Sequence, residues 1–326
     1  MTLKELAKIA GVSISTVSKA LNDSPEIGKR TKQKITDLAK LYNYMPNKMA
    51  LTLKTGKTKT IGVIVPSIKN NFFARVIVGI EEVLNANNYN IVISITNESK
   101  EKEASIIKTL SNGVVDGFII SVAEETQISQ DIDHFIYTAK NNKPVVLFDR
   151  VIKALNFDNV VGDDDAVIFN ITKNLIRKEK TSIALISAIS NLSVGKSRKK
   201  GYLDAIKNHQ DAIVIEADVT CIETQIEHLL SSKKVDAIIA LDEDASLLAL
   251  KVANRKKLNM PTDLAILGFA PSKLAKNVTP QLTTINQHGV TIGKTSAQLL
   301  INKLKDTSLA PQRIVVNATL DRRETS

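Results

Sequence analysis

Past residue 60 the chain alternates two kinds of hydrophobic pattern. Short runs that are apolar at nearly every position begin with Ile61-Gly62-Val63-Ile64-Val65-Pro66 and recur near 90–96, 117–122 and 144–149. Between them lie segments in which apolar residues return every three or four positions, as Phe73, Ile77, Ile80 and Leu84 do in residues 72–87, with others near 101–111 and 130–140. A second series follows, with strands near 159–162, 183–188, 212–217, 237–241 and 264–269 and helices near 166–179, 196–208, 222–232 and 244–254. A strand without polar alternation must be covered on both faces, and strict strand–helix alternation gives parallel, doubly wound sheets. The expected fold class is α/β, with two such sheets in two lobes. A cleft then lies between them, and ligands in such sheets sit outside the carboxyl ends of the strands.

The first forty-five residues follow a different period. Thr2 and Glu5 have the spacing of a capping box, Leu3, Leu6, Ala7 and Ala10 share a helical face, and Gly11 stands where a helix end needs a permissive backbone. Ser13 then caps a second helix. Its Val17 and Leu21 can pack on the first, leaving Ile14, Ser15, Thr16, Ser18 and Lys19 facing outward. Two helices this short cannot bury a core, and residues 29–42, with Ile35, Leu38, Ala39 and Tyr42 at helical spacing, supply a third. The three make a helix-turn-helix headpiece.

Charge sharpens that reading. Residues 1–59 hold twelve Lys and Arg against four Asp and Glu, so they carry +8 of the chain's formal +10. Such concentration is the footprint of a module that binds a polyanion. The single cysteine, Cys221, excludes an intramolecular disulfide framework, no Cys/His cluster has metal-ligand spacing, and no apolar run approaches a membrane span. With no signal peptide at the N-terminus, a cytoplasmic protein without metal or cofactor is expected. An enzyme is disfavoured: there is no Gly-rich phosphate loop, no Gly-x-Ser-x-Gly elbow, and His134, His209, His228 and His288 are scattered. A transport-type solute receptor would fit the two lobes alone, but not the basic headpiece.

Residues 3–21, followed by Tyr44-Met45-Pro46-Asn47-Lys48-Met49-Ala50-Leu51-Thr52-Leu53, resemble the DNA-binding headpiece and hinge of the lactose repressor/galactose repressor family. The resemblance implies a homodimer on a palindromic double-stranded operator, regulated by a small effector, a sugar or sugar derivative, in the interlobe cleft. It also implies a division into a headpiece (1–45), a hinge helix and linker (46–59) and a core (60–326), with lobe 1 near 60–157 and 288–313 and lobe 2 near 158–287 and 314–323. The helix 290–305 would return to the first lobe and a last strand, 314–321, to the second. In the headpiece, Ile14 and Ser15 would reach base edges while Thr16, Ser18, Asn22 and Lys29 hold phosphates; Thr2, Ser13 and Lys19 join that surface. A hinge helix of about eight residues is unstable alone. By resemblance it folds on pairing in the minor groove, where Leu53 wedges a base step beside Ala50, with Asn47 and Lys48 alongside.

Topology and resemblance together nominate the cleft residues. Phe72 or Phe73 follows the first strand and could stack on a ligand. Asp149 and Arg150 follow the fourth strand, and Asp242 ends one in the second lobe. Arg198 matches the family's cleft arginine, whose forked donors can hold two hydroxyls or a carboxylate, and Gln287 matches a crossover position. Each could instead be an interlobe or surface residue. Relatives commonly carry Gly-Phe-Asp where this chain has Gly268-Phe269-Ala270, so either other residues serve the ligand or the ligand is less sugar-like. Beside the regulator stands one alternative, a cytosolic small-molecule-binding protein with a nonspecific basic arm.

Overall fold

The computed structural model describes residues 1–45, 56–232 and 235–326. The chain divides into two units, Met1–Thr58 and Lys59–Ser326. In the first, α1 (Leu3–Ala10), α2 (Ile14–Leu21) and α3 (Lys29–Leu41) enclose a small core of Leu6, Ala7, Ala10, Val17, Ala20, Ile35 and Ala39. The capping box is formed: Thr2 Oγ1 accepts the Glu5 N–H at 3.2 Å and Glu5 Oε2 accepts the Thr2 N–H at 2.7 Å. Gly11 ends α1 at φ 70°, a conformation that favours glycine. Two lysines of α3 brace the fold, Lys32 on Asp23 at 2.6 Å and Lys34 on the Ala10 carbonyl at 3.0 Å. The proposed hinge residues Asn47, Lys48, Ala50 and Leu53 lie outside the described residues.

The second unit holds two six-stranded sheets. The first contains β1 (Thr60–Val65), β2 (Asn90–Ile95), β3 (Gly117–Ile120), β4 (Val145–Phe148) and β5 (Asp158–Gly162), in the order β11-β5-β4-β3-β1-β2, where β11 is Arg313–Val316. Its helices are α4 (Asn71–Ala86), α5 (Lys100–Ser111), α6 (Glu124–Ser129) and α7 (Ile136–Lys140). Next in the chain come α8 (Asp164–Arg177), β6 (Ile183–Ser187), α9 (Ser193–Ile206), β7 (Ile213–Glu216), α10 (Val219–Ser232), β8 (Ala237–Ala240), α11 (Glu243–Arg255), β9 (Ala265–Gly268), α12 (Ser272–Asn277) and β10 (Thr283–Asn286). With β12 (Thr319–Asp321) these strands form the second sheet, in the order β12-β10-β9-β8-β6-β7, while α13 (Gly289–Lys305) packs on α4 of the first lobe. Both sheets are parallel except that β12 runs antiparallel to β10.

Two lobe assignments change. The strand expected to open the second lobe, near 159–162, is the fifth strand of the first sheet, with Val146 opposite Asp158 and Phe148 opposite Val160. The last strand, expected at 314–321 in the second lobe, is two strands: β11 joins β5 in the first sheet, and β12 joins β10 in the second. The passages between sheets therefore lie after residues 162, 286 and 316. An apolar run records that both faces are buried; which neighbour takes its hydrogen bonds depends on the rest of the sheet.

The lobes also touch through side chains. Gln127 on α6 donates from Nε2 to Ser193 Oγ at 2.9 Å and accepts the Ser193 N–H on Oε1 at 3.1 Å. Buried Glu103 holds α6 in place, taking the Ala123 N–H at 2.7 Å and the Thr126 hydroxyl at 2.8 Å, with His134 Nε2 at 2.9 Å.

Helices α4 and α13 meet backbone to backbone. A Cβ on Gly293 would stand 2.1 Å from the Val76 carbonyl oxygen, and one on Gly79 2.1 Å from that of Val290. A carbonyl in a helix cannot swing aside, so Gly293→Val must part the two helices. The expected cost is about 3 kcal/mol, the upper part of the range for overpacking. Urea unfolding checks this; an unchanged midpoint would rule out the close crossing.

Candidate DNA-contacting and effector-binding sites

On the headpiece, α2 buries Val17 and Ala20 and presents its N-terminal turn. Ser13 caps it, accepting the Thr16 N–H at 3.1 Å, and its hydroxyl lies 2.8 Å from those of both Ser15 and Thr16. Ile14, 46 % exposed, stands among these hydroxyls. The free N–H groups of a helix start favour a phosphate, and the three hydroxyls can turn donors outward. The remaining nominees differ in freedom. Lys19 is held by Glu26, Asn22 Nδ2 donates to the Ser18 carbonyl at 2.8 Å, and the Thr2 hydroxyl is used in its cap. Lys29, at the start of α3, is exposed.

The second site is a cavity of about 350 Å³ between the lobes of the core, lined by all seven nominated cleft residues. That volume suits a small-molecule site. From the first lobe, Phe73 is 2 % exposed and packs edge-on against Phe72 (5.4 Å) and Phe148 (6.2 Å). Phe73 is therefore mainly a core residue, and half-buried Phe72 has the ring with room for a ligand. Arg150 pairs with Glu98 at 2.7 Å, its guanidinium 5.6 Å from the Phe73 ring.

Asp149 has φ 58°, a backbone uncommon for any residue but glycine. Strain of this kind is found at functional sites. Burial, with Asp164 adding repulsion, pushes its carboxyl up to about 6, against the pull of Arg150 and Arg198. The folded core thus binds a proton there more readily than the unfolded chain, whose aspartates titrate near 3.9. Stability from this group is greatest below about pH 4 and is lost as pH rises through about 6. Asp149→Asn removes that penalty, so the variant should be more stable by about 2–3 kcal/mol near neutrality and equal to the parent near pH 4. Urea midpoints across this pH range check it; a constant difference would contradict the assignment.

From the second lobe, Arg198 is 4 % exposed. Its Nε donates to Asp164 Oδ1 at 2.6 Å, its Nη1 to the Leu241 carbonyl at 2.6 Å, and the guanidinium lies 3.7 Å from the centre of the Phe269 ring. Nη2 has no hydrogen-bond partner among the described residues. Asp242 caps α11, taking the Ala245 N–H at 2.9 Å, while its other oxygen takes the Ala188 N–H at 2.7 Å. Burial raises its carboxyl above the usual range. Those two bonds make it a brace of the cavity wall before it is an acceptor for anything bound there. Gln287 lines the cavity at the crossover, and neighbouring His288 is tied to Thr319 Oγ1 at 2.9 Å.

Three residues at the cavity are not legible in the sequence. Asp164, the counter-ion of Arg198, is only one of three consecutive aspartates after a strand; Phe269 belongs to a motif that does not show the face it offers Arg198; Asp321, which lines the cavity, carries no signal. Among the described residues no group of three or more His, Cys, Asp or Glu is placed to hold a metal, and no helix is long and apolar enough to cross a membrane.

Comparison with known families gives two matches. Residues 2–47 match bacterial regulatory proteins of the lacI family, and residues 58–323 match the periplasmic binding proteins and sugar binding domain of LacI family. The chain belongs to the lacI family. This lacI-family regulator is 30 % identical over 308 residues to catabolite control protein A of Priestia megaterium, covering 92 % of this chain and 91 % of that one. It is 28 % identical over 330 residues to the ribose operon repressor of Haemophilus influenzae, covering 99 % and 98 %. The lac repressor dimer bound to operator and the anti-inducer ONPF has the same fold, with a TM-score of 0.86 at 20 % identity over 100 % of this chain and 98 % of that one. The relatives are transcriptional regulators, and this member has the family's two parts, a helix-turn-helix headpiece and a core like the periplasmic binding proteins.

Proposed function

We propose that the chain is a cytoplasmic, non-catalytic repressor of carbohydrate-utilisation genes, acting as a homodimer whose affinity for a palindromic operator is set by a sugar or sugar derivative in the interlobe cleft. The observation that carries this reading is the cleft, whose walls come from both lobes and whose free polar groups, Asp149, the Arg198 Nη2 and Gln287, converge on one cavity. A ligand that touches both lobes alters the angle between them, and only a difference in affinity for the two angles can move the equilibrium. Because the first lobe follows the hinge in the chain, its partner-to-partner spacing governs whether two hinge segments can pair. The description of the matched family and the ribose operon repressor support the sugar class. The N-terminal turn of α2 supports Ile14 and Ser15 as the residues that reach base edges. Neither makes a bidentate pair with a base, so DNA deformation by Leu53 carries much of the specificity.

Selection of bound sequences from a random DNA pool, repeated with mixtures of sugars, tests this. The expected result is a palindrome with half-sites about one helical turn apart, its recovery altered by at least one sugar. Binding that recovers no motif under any condition and only falls with salt would reduce the headpiece to a nonspecific basic arm.

A further inference from the structure

Two of the three arginines lining the cleft resemble anion receptors, but each has a carboxylate counter-ion behind it, with the buried Arg150 Nε left without a hydrogen-bond partner among the described residues. Glu98 meets Arg150 at 2.7 Å and Asp164 meets Arg198 at 2.6 Å. The third, Arg75, is exposed, so water screens it. The lining carboxylates are less evenly matched. Asp242 has both oxygens on backbone N–H groups. Asp149, 8 % exposed, has no hydrogen-bond donor among the described residues. An unpartnered buried carboxylate calls for a donor from whatever fills the cavity.

Asp321 is a partly exposed lining carboxylate, held on one oxygen by Arg323 and free on the other among the described residues. Antiparallel pairing of β12 with β10 sets it opposite Thr284, and both line the cavity. Its Oδ2 lies 3.4 Å from Arg323 Nη2, a long contact to a guanidinium already bonded to the Leu282 carbonyl, Thr284 Oγ1 and Ser272 Oγ. Its Oδ1 has no partner among the described residues, and the side chain is 33 % exposed. Ala270, on the same wall, offers only a methyl group.

We propose that Asp321 contacts the effector directly, as the acceptor supplied by the second lobe opposite Asp149 of the first, and that this pair selects uncharged, hydroxyl-bearing ligands over their phosphorylated or carboxylated counterparts. The proposal rests on the reading of the cleft as the effector site. Hydroxyls of the ligand donate to the two carboxylates, and one accepts from Arg198 Nη2. An anionic group brought between them meets two like charges and no unpaired interior cation, a juxtaposition that weakens binding.

The test is thermal stabilisation and calorimetric titration of the full chain with ribose, glucose and cellobiose, and with ribose 5-phosphate and glucose 6-phosphate. Small molecules extracted from bacteria, split by anion exchange into unretained and retained fractions, are assayed beside them. Neutral probes or the unretained fraction should bind, and a phosphate ester on the order of 100-fold more weakly than its parent sugar. Asp321→Asn should weaken the neutral ligand about 10-fold and narrow its advantage over the ester, while the melting temperature of the unliganded chain stays put.

Binding of an ester or of the retained fraction at least as tight as the neutral one, if lost in Gln287→Ala, overturns the proposal and leaves the cleft as the effector site. Neutral binding that is lost in Gln287→Ala but unmoved by Asp321→Asn likewise removes Asp321. If no probe and neither fraction binds, or if binding ignores Gln287→Ala and Asp321→Asn alike, the cleft reading fails and the proposal falls with it.

Discussion

Arg198→Ala is expected to abolish the response of operator binding to effector and to lower the stability of the core by about 3–5 kcal/mol. The two losses have different origins. Stability falls because Asp164 keeps its place beside the cleft with its Arg198 partner at 2.6 Å gone, and the Leu241 carbonyl loses its donor. Breaking a buried pair from one side costs more than the pair was worth, since a charge is left behind without compensation. The Phe269 ring also loses the guanidinium lying over it at 3.7 Å.

The ligand response is expected to be lost because Arg198 lines the cavity and its Nη2, used by neither Asp164 nor Leu241, is the proposed donor to the effector. Adding Asp164→Asn should recover part of the stability by removing the stranded charge, and recover none of the response. Arg198→Lys should restore charge but not the fork, leaving an intermediate stability. Urea unfolding and fluorescence-anisotropy titration of operator DNA measure both. A single variant with parental stability, or a double variant that responds to effector, would break this account.

Leu6→Ala should have the largest effect on DNA binding, although Leu6 is fully buried and presents no surface to DNA. It lies in a small core whose seven buried members among the described residues include four alanines. Truncating a buried leucine costs about 2–5 kcal/mol, and a domain of this size has only about 3–5 kcal/mol to lose. The headpiece should therefore be largely unfolded in the variant, with operator affinity down at least about 100-fold. Because Met1–Thr58 and Lys59–Ser326 are separate units, the thermal transition of the core and its ligand binding should not move. Ile14→Ala is the complementary change: at 46 % exposure the headpiece stays folded, so any loss of operator binding reports contact with DNA. Two-dimensional NMR of the headpiece amides separates the two cases. A Leu6→Ala headpiece with dispersed, native-like signals would contradict the argument.

Much of the headpiece was legible because its determinants are local. Thr2 and Glu5 lie three residues apart and form the capping box, Ser13 caps α2, and Gly11 takes the left-handed backbone. The same holds for the alternation of strands and helices, and for Phe72, Asp149, Arg150 and Asp242, which topology places at strand ends and the fold brings to one cavity. What these groups do there was not legible. Asp242 reads like a ligand acceptor but spends both oxygens on backbone N–H groups, and Phe73 spends its ring on Phe148.

By itself, the sequence determined where most helices and strands lie, which face of them is apolar, and that a basic three-helix headpiece precedes two doubly wound lobes; α6, α12 and β10 escape it, and β11 and β12 read as one strand. The legible features depend on residues within one or two turns of each other. The tertiary structure alone decided that Asp158–Gly162 pairs with β4 and Arg313–Val316 with β5, so that the first lobe gains two strands. It alone brought Gly79 against Val290 and Gly293 against Val76, Asp164 against Arg198, and Asp321 to the cavity through its pairing with Thr284. The physical reason is that apolar periodicity specifies a buried face without naming the surface that buries it. Hydrogen-bond partners along a strand edge and counter-ions across a cleft are chosen only when distant segments compete for the same place.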